Sequence, residues 1–343
     1  MKEALFYHPL DKARVRCNLC RHRCVIYPDK TGVCGVRINK NHKLYTLVYG
    51  KLVASNVDPI EKKPLFHFSP GSGAFSIATV GCNFSCPNCQ NYNISQFRFL
   101  NEGKRIDNNI PGDYVSPQEV VSLALKSRCK SIAYTYTEPT VFYEYAYHTA
   151  KLANKEGLKN IFVTNGYITP EALEMINPYL DGANVDLKSF RKSFYHRYPK
   201  AKLEGVLDTL KLMRRLGIWL EVTTLIIPTL NDSREELRDI VHFIKHELGL
   251  ETPWHVSRFY PTHHMTHLPS TSVESLVEAR EIGLKEGLRY VYTGNVPGHK
   301  AENTYCWNCG KLVIARLGYS ISRYEIENSK CRYCGAEIDG MGL

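Results

Sequence analysis

The chain has 343 residues, 43% hydrophobic and 23% charged, with 44 Lys and Arg against 34 Asp and Glu for a formal charge of +10. This is too long for one minimal domain and suits one large domain with one or two appendages around a buried core. No stretch approaches the roughly 20 apolar residues that span a bilayer, which excludes a membrane-spanning class, and the charged start Met1–Tyr7 is unlike a signal peptide, so a cytoplasmic protein is expected.

In chain order, eleven of the twelve cysteines fall into three groups. In a reducing compartment such grouping points to metal more often than to disulfides. The groups divide the chain into an N-terminal four-cysteine segment (1–72), a core (73–298) and a C-terminal tail (299–343). The first group is Cys17-x2-Cys20-x3-Cys24-x9-Cys34. Its four thiolates fit zinc or a second iron–sulfur cluster, and His22, between Cys20 and Cys24, is a substitute ligand.

The core alternates β-rich runs with helical patterns. Strands are predicted at 76–80, 131–136, 160–164, 183–187, 219–227, 255–259 and 289–292, rich in Val, Ile, Thr and Tyr. Helices are predicted near 117–127, 141–155, 171–176, 203–216, 234–247 and 273–286. Ser116-Pro117-Gln118-Glu119 reads as a capped helix start, and Gly157, Gly217, Gly249 and Gly287 read as helix stops. Repeated β–α alternation predicts parallel strands with crossover helices. The expected class is α/β, a closed or partly closed barrel with its site at the carboxyl ends of the strands.

Cys82-x3-Cys86-x2-Cys89 follows the first core strand directly. Three thiolates on one short loop ligate three corners of a 4Fe–4S cube and leave the fourth iron open to a small molecule. Structural zinc fits less well, because it takes four ligands. Cys129 follows a helix and reads as structural. His263, His264 and His267 fit no helix face and read as a solvated loop rather than a metal site. In the tail, Cys306-x2-Cys309-Gly310 and Cys331-x2-Cys334-Gly335 are two knuckles whose glycines permit tight turns. Four thiolates with no open position suit structural zinc in a ribbon-like tail, with a rubredoxin-like iron as runner-up.

The cysteine loop after the first strand of a β/α barrel resembles the radical S-adenosylmethionine (SAM) superfamily. Further text narrows the likeness: Asp58-Pro59-Ile60-Glu61-Lys62-Lys63-Pro64-Leu65-Phe66-His67-Phe68, Cys89-Gln90-Asn91, Tyr134-Thr135-Tyr136-Thr137-Glu138-Pro139-Thr140, Val163-Thr164-Asn165-Gly166-Tyr167, Asn184-Val185-Asp186-Leu187-Lys188, Glu221–Pro228 and Ser257-Arg258-Phe259. Together these resemble the AmmeMemoRadiSam-system radical SAM enzymes, relatives of the pyruvate formate-lyase activating enzymes, over nearly the whole chain. The resemblance implies a partial (β/α)6 radical SAM barrel and a 4Fe–4S cluster on Cys82, Cys86 and Cys89. It also implies reductive cleavage of SAM and hydrogen abstraction from an unknown substrate. It implies an electron donor of the flavodoxin or ferredoxin type, and Memo-type and AmmeMemo-partner proteins as partners.

Site residues follow from the same likeness. Thr137-Glu138-Pro139 resembles the Gly-Gly-Glu-type motif for the SAM amino group; alternatively Glu138 is a helix N-terminal charge. Asp186 and Lys188 share one side of a strand end. They suit the ribose hydroxyls and the SAM carboxylate, or form a rim ion pair. His255 resembles the SAM-contacting histidine, or is a satisfied core histidine. No catalytic acid or base is assigned. Two departures stand out. Asn88 occupies a position usually aromatic, with Tyr92 as its replacement, and Val163 stands where the activases carry an acid that helps bind a cation.

Two other classes fit part of the sequence. A basic metal-knuckle protein that binds or modifies nucleic acid would use the +10 charge, but that surplus is spread along the chain and no aromatic-plus-basic platform is evident. A structural or metal-storage protein would use the cysteines alone.

Overall fold

The computed structural model describes residues 1–100 and 110–343. Its centre is one eight-stranded sheet made of β1 (Ala54–Pro59), β2 (Gly73–Ala78), β3 (Ser131–Tyr134), β4 (Lys159–Thr164), β5 (Gly182–Asp186), β6 (Trp219–Ile226), β7 (Trp254–Arg258) and β8 (Val291–Gly294). The order is sequential, β8 to β1. Strands β2 to β8 pair in parallel, and β1 pairs antiparallel with β2.

Six helices make the crossovers: α1 (Pro117–Lys126), α2 (Tyr143–Lys155), α3 (Pro170–Ile176), α4 (Leu203–Arg215), α5 (Arg234–Phe243) and α6 (Val273–Lys285). At the start of α1, the Ser116 hydroxyl accepts from Glu119 N–H at 3.2 Å, and the Glu119 carboxylate accepts from Ser116 N–H at 2.7 Å. A cap of this kind is worth about 1 kcal/mol.

All seven expected strands form, with two shifts. The first occupies 73–78 rather than 76–80, because Thr79 and Val80 already belong to the turn into the cysteine loop. The last occupies 291–294 rather than 289–292. The expected six-unit barrel becomes seven parallel strands with an antiparallel edge, and it stays open: β1 and β8 are the two ends of the sheet. Strand β1 lies inside the segment assigned above to the N-terminal four-cysteine part, so that segment is built into the core sheet.

The segment before β1 contributes two small antiparallel sheets. One holds Tyr7–Leu10, Arg14–Cys17 and Val25–Ile26. A buried ion pair fixes this region to α2: Arg37 Nη1 lies 2.9 Å from both Glu144 oxygens, and Glu144 also accepts from Leu5 N–H at 2.7 Å. Both side chains are nearly fully buried, so each charge depends on the other.

The tail closes the amino ends of the strands. Val313, Ile314, Ile326 and Ile338 form an apolar cluster with Phe66, Tyr290 and Tyr292. Buried Arg316 stacks over the Phe66 ring at 4.3 Å and donates to Phe66 O at 2.8 Å. The opposite, carboxyl ends remain open.

Candidate active site

At the end of β2 the chain turns sharply at Gly81, whose φ is +101°. A Cβ there would sit 2.7 Å from Val36 Cγ1 and 3.0 Å from Cys34 O, so only glycine fits. The loop from Cys82 to Cys89 follows and is held from several sides. His22 Nε2 donates to Asn83 O at 2.8 Å, Ser85 N–H to Pro199 O at 3.2 Å, His264 N–H to Pro87 O at 2.9 Å and Gln96 Nε2 to Phe84 O at 3.3 Å. The Phe84 ring packs on Tyr167 with centroids 5.3 Å apart.

Cys82, Cys86 and Cys89 all line one cavity of about 300 Å³. That is the low end of the range for a small-molecule site. The cavity lies at the carboxyl ends of the parallel strands, and Glu138, Asp186 and Lys188 line it too. A larger cleft of about 480 Å³, lined by Arg280, Tyr290 and Trp307, lies toward the tail and contains none of these groups.

The three thiols fit metal ligation. Burial raises the Cys82 pKa well above the usual thiol range, assisted by the Glu138 charge, and pushes Cys86 up to about 11. Without a cation Cys82 and Cys86 keep their protons, so cluster binding would release them. Cys82 Sγ already accepts from Phe84 N–H at 3.4 Å and faces Asn165 Nδ2 at 3.8 Å. Such donors suit a thiolate that carries cluster charge.

Glu138 follows β3. Its carboxylate accepts from Thr140 N–H at 3.1 Å, Thr140 Oγ1 at 2.5 Å, Thr164 Oγ1 at 2.7 Å and Asn165 N–H at 2.8 Å. It caps the following short helical turn, as the helix-terminus reading expects, and ties the Thr164-Asn165-Gly166 bend to the wall of the cavity. Burial raises its pKa. Asp186 and Lys188 form an ion pair of 2.7 Å at the end of β5, facing the cavity together as strand alternation requires. The Lys188 ammonium stays charged, because the Asp186 carboxylate outweighs the effect of burial.

His255 does not line the cavity. It lies one layer deeper, fully buried, with Nε2 2.7 Å from Glu221 Oε2. On the same strand Ser257 takes the cavity position. The reason is depth along the strand: alternation sets the face of a residue but not its layer. The core-histidine reading therefore describes His255.

Tyr92 does not replace Asn88. Asn88 lines the cavity, whereas Tyr92 stacks on His263 at 4.4 Å outside it. His264 and His267 are exposed, and Cys129 is buried against Gly73. Residues not singled out above also face the cavity: Asn165, Thr223 and Ser257. Thr223 Oγ1 is buried without a hydrogen-bond partner, an open donor and acceptor beside the site. The inward period of Glu221, Thr223 and Leu225 is the signal that could have found it.

The tail cysteines converge closely. Sγ of Cys306 and Cys334 are 3.7 Å apart, and those of Cys309 and Cys331 are 3.9 Å apart. A zinc–sulfur bond of about 2.3 Å gives a tetrahedral edge of about 3.8 Å. The quartet is the only such group among the described residues whose ligand atoms all lie within 4.8 Å of one another. It can hold a metal ion.

No helix among the described residues is long and apolar enough to cross a membrane. The chain is 46% identical over 341 residues to an uncharacterized protein of Methanocaldococcus jannaschii, covering 99% of each. It is 22% identical over 225 residues to a second protein of that organism, named "Putative glycyl-radical enzyme activating enzyme MJ1632", covering 62% of this chain and 78% of that one. Among solved structures it resembles a domain of a pyruvate-formate lyase-activating enzyme from Bacteroides vulgatus, with TM-score 0.42, 15% identity and coverage of 48% of this chain and 99% of that one. Residues 76–244, which contain the cysteine loop, Glu138, Asp186 and Lys188, match the Radical SAM superfamily, so this part of the chain is a Radical SAM domain.

Proposed function

We propose that this protein uses a 4Fe–4S cluster on Cys82, Cys86 and Cys89 to cleave SAM reductively and to abstract hydrogen from a substrate held in the cavity. One observation carries the reading: three cysteine thiols, Glu138 and the Asp186–Lys188 pair face one cavity at the carboxyl ends of the strands. When bound, the cluster supplies the electron that breaks a carbon–sulfur bond of SAM. The chain itself supplies placement. Lys188 offers an ammonium to the SAM carboxylate, Asp186 and Thr223 offer acceptors to its hydroxyls, and the backbone around Glu138 offers carbonyls to its amino group.

The activating type, in which the substrate is a partner protein, is supported by the name of the second M. jannaschii relative. An AmmeMemo-system role with Memo-type partners rests on the motif resemblance. A flavodoxin or ferredoxin would deliver the electron, and the grouping of eleven of the twelve cysteines at metal-ligand spacings suits the reducing cytoplasm. For the tail quartet, whose four close thiolates leave no open position, zinc is the proposed metal and a rubredoxin-like iron the runner-up.

Anaerobic reconstitution with iron, sulfide, SAM and dithionite tests the function. The native chain should release 5′-deoxyadenosine, and Cys82→Ala should release none. Equal release from both would remove the central loop from the chemistry.

A further inference from the structure

The four N-terminal cysteines come from separate pieces of chain. Cys17 ends a strand, Cys20 and Cys24 sit in the following loop, and Cys34 follows a second turn. The fold closes all four on one small cavity, shared with Ile26, Val33, Arg37 and Val141. Cys17 and Cys34 are buried, and Cys20 and Cys24 are partly so. His22 is not among the lining residues. Its ring donates to Asn83 O and rests on Tyr167, which leaves four sulfurs as the donor set.

Two observations distinguish this cage from the tail. First, among the described residues the tail quartet alone forms a tight ligand group, with all four sulfurs within 4.8 Å of one another, and the N-terminal four form no such group. One zinc draws its thiolates to an edge of about 3.8 Å; a cube with an iron at each ligated corner holds them further apart. Second, Arg37, 2% exposed and lining the cage, carries a buried Nε with no hydrogen-bond partner. Its Nη atoms are committed to Glu144 and Leu5 O. A buried guanidinium N–H without an acceptor is costly. An anionic cluster with bridging sulfides would supply the missing acceptor.

From this we infer that Cys17, Cys20, Cys24 and Cys34 bind a second 4Fe–4S cluster. Four Fe–S bonds form as four thiol protons leave. Every iron is then ligated by protein, so this cluster has no open position and does not bind SAM. It stands against the wall of the SAM cavity: Thr140 lines the cage and donates to Glu138, and Cys34 O abuts Gly81, next to Cys82. The assignment stands on the quartet alone and does not depend on the function proposed above.

The test uses full-length chains reconstituted anaerobically with iron and sulfide: the wild type, the variant Cys82→Ala/Cys86→Ala/Cys89→Ala and the variant Cys17→Ala/Cys20→Ala. Iron, sulfide and zinc per chain are measured, with Mössbauer and EPR spectra before and after SAM. The wild type should hold about eight irons and the central-loop variant about four. The spectrum of that variant should not respond to SAM. This chain leaves the N-terminal cage intact, so the decisive measurement does not rest on a damaged fold. In the Cys17→Ala/Cys20→Ala variant, about four irons with a SAM-responsive spectrum are expected. A central-loop variant holding no iron, or an extra zinc in its place, overturns the inference while leaving the proposed function intact. Four irons in the central-loop variant but none in the other would instead sink the central cluster and keep this one.

Discussion

Glu221 Oε2 accepts from His255 Nε2 at 2.7 Å beneath the floor of the cavity. The same carboxylate accepts from Phe66 N–H at 3.0 Å, His67 N–H at 2.8 Å and Trp219 Nε1 at 3.1 Å. Four donors from three parts of the chain meet on one buried anion, which fastens the Phe66–His67 segment under the strands. His255→Ala removes one donor and leaves a void beside a carboxylate. It should lower stability by about 2–4 kcal/mol. SAM affinity of the folded, reconstituted protein should stay within about twofold of native. A loss of affinity comparable to that of a cavity residue would return His255 to the SAM site.

Asp186→Ala should behave in the opposite way. The pair with Lys188 is partly exposed, so the fold loses little. Iron content and visible absorbance should be unchanged, because thiolates and not carboxylates hold the cluster. SAM binding should weaken by roughly 1.5–3 kcal/mol, about tenfold to hundredfold in Kd, if a charge-assisted hydrogen bond is lost. Equilibrium titration of SAM against matched samples measures this, and unchanged Kd would take Asp186 out of the contact set.

Gly81→Ala probes the join between the N-terminal segment and the cysteine loop. The backbone φ of +101° disfavours any side chain, and the new methyl meets Val36 and the backbone of Cys34. Val36 can shift, but the Cys34 carbonyl is backbone and cannot move without the turn that carries it. The cost is about 1–3 kcal/mol, and the loop must move away from the cavity. Iron bound by the central triad and 5′-deoxyadenosine release should both fall. Full iron loading with native turnover would show that the contact is tolerated.

What the sequence made legible here was local. The cysteine loop, the Ser116 cap and the Asp186–Lys188 side all depend on residues within nine positions of each other, where spacing alone sets geometry. What it hid was depth and long-range pairing. His255 and Ser257 share a face, and only the stagger of neighbouring strands decides which reaches the cavity. Strand β1, Ala54-Ser55-Asn56-Val57-Asp58-Pro59, lacks an apolar alternation because it is an antiparallel edge strand ending in proline. Arg37 and Glu144 are 107 residues apart, beyond any periodicity. Thr223 reads as ordinary strand filler until its hydroxyl is found buried beside the site without a partner.

The tail metal gives a separable prediction. Cys309→Ala leaves three thiolates around a site whose neighbours supply no replacement among the described residues. Zinc should fall by about one equivalent per chain, while iron stays at its native level. The tail plugs the amino ends of the strands, so metal loss should also loosen the cluster around Tyr292 and Val313, seen as faster proteolysis after 299. Native zinc content in this variant would rule out the four-thiolate assignment.

His67 gives the fold a pH dependence whose direction follows from its partners. The ring is buried, with Nδ1 2.6 Å from Asp339 O and Nε2 2.5 Å from the Tyr292 hydroxyl. The carbonyl can only accept, so Nδ1 carries the proton and Nε2 accepts from Tyr292: a neutral imidazole with both nitrogens satisfied. Burial lowers its pKa from 6.5 to about 4. Between those values the unfolded chain binds a proton that the folded chain refuses. Stability from this residue is therefore fully present above pH 6.5, is lost as pH falls toward 4, and changes no further below that. The shift corresponds to about 3 kcal/mol. Acid would also protonate any metal-bound thiolates, so the wild type alone does not isolate the effect. The comparison that does is with His67→Gln, which retains a donor and an acceptor but does not titrate. The variant should be less stable at pH 7, and its deficit should shrink steadily between pH 6.5 and 4 in denaturant titrations. A deficit that stays constant across that window would mean that His67 is not held neutral in the fold.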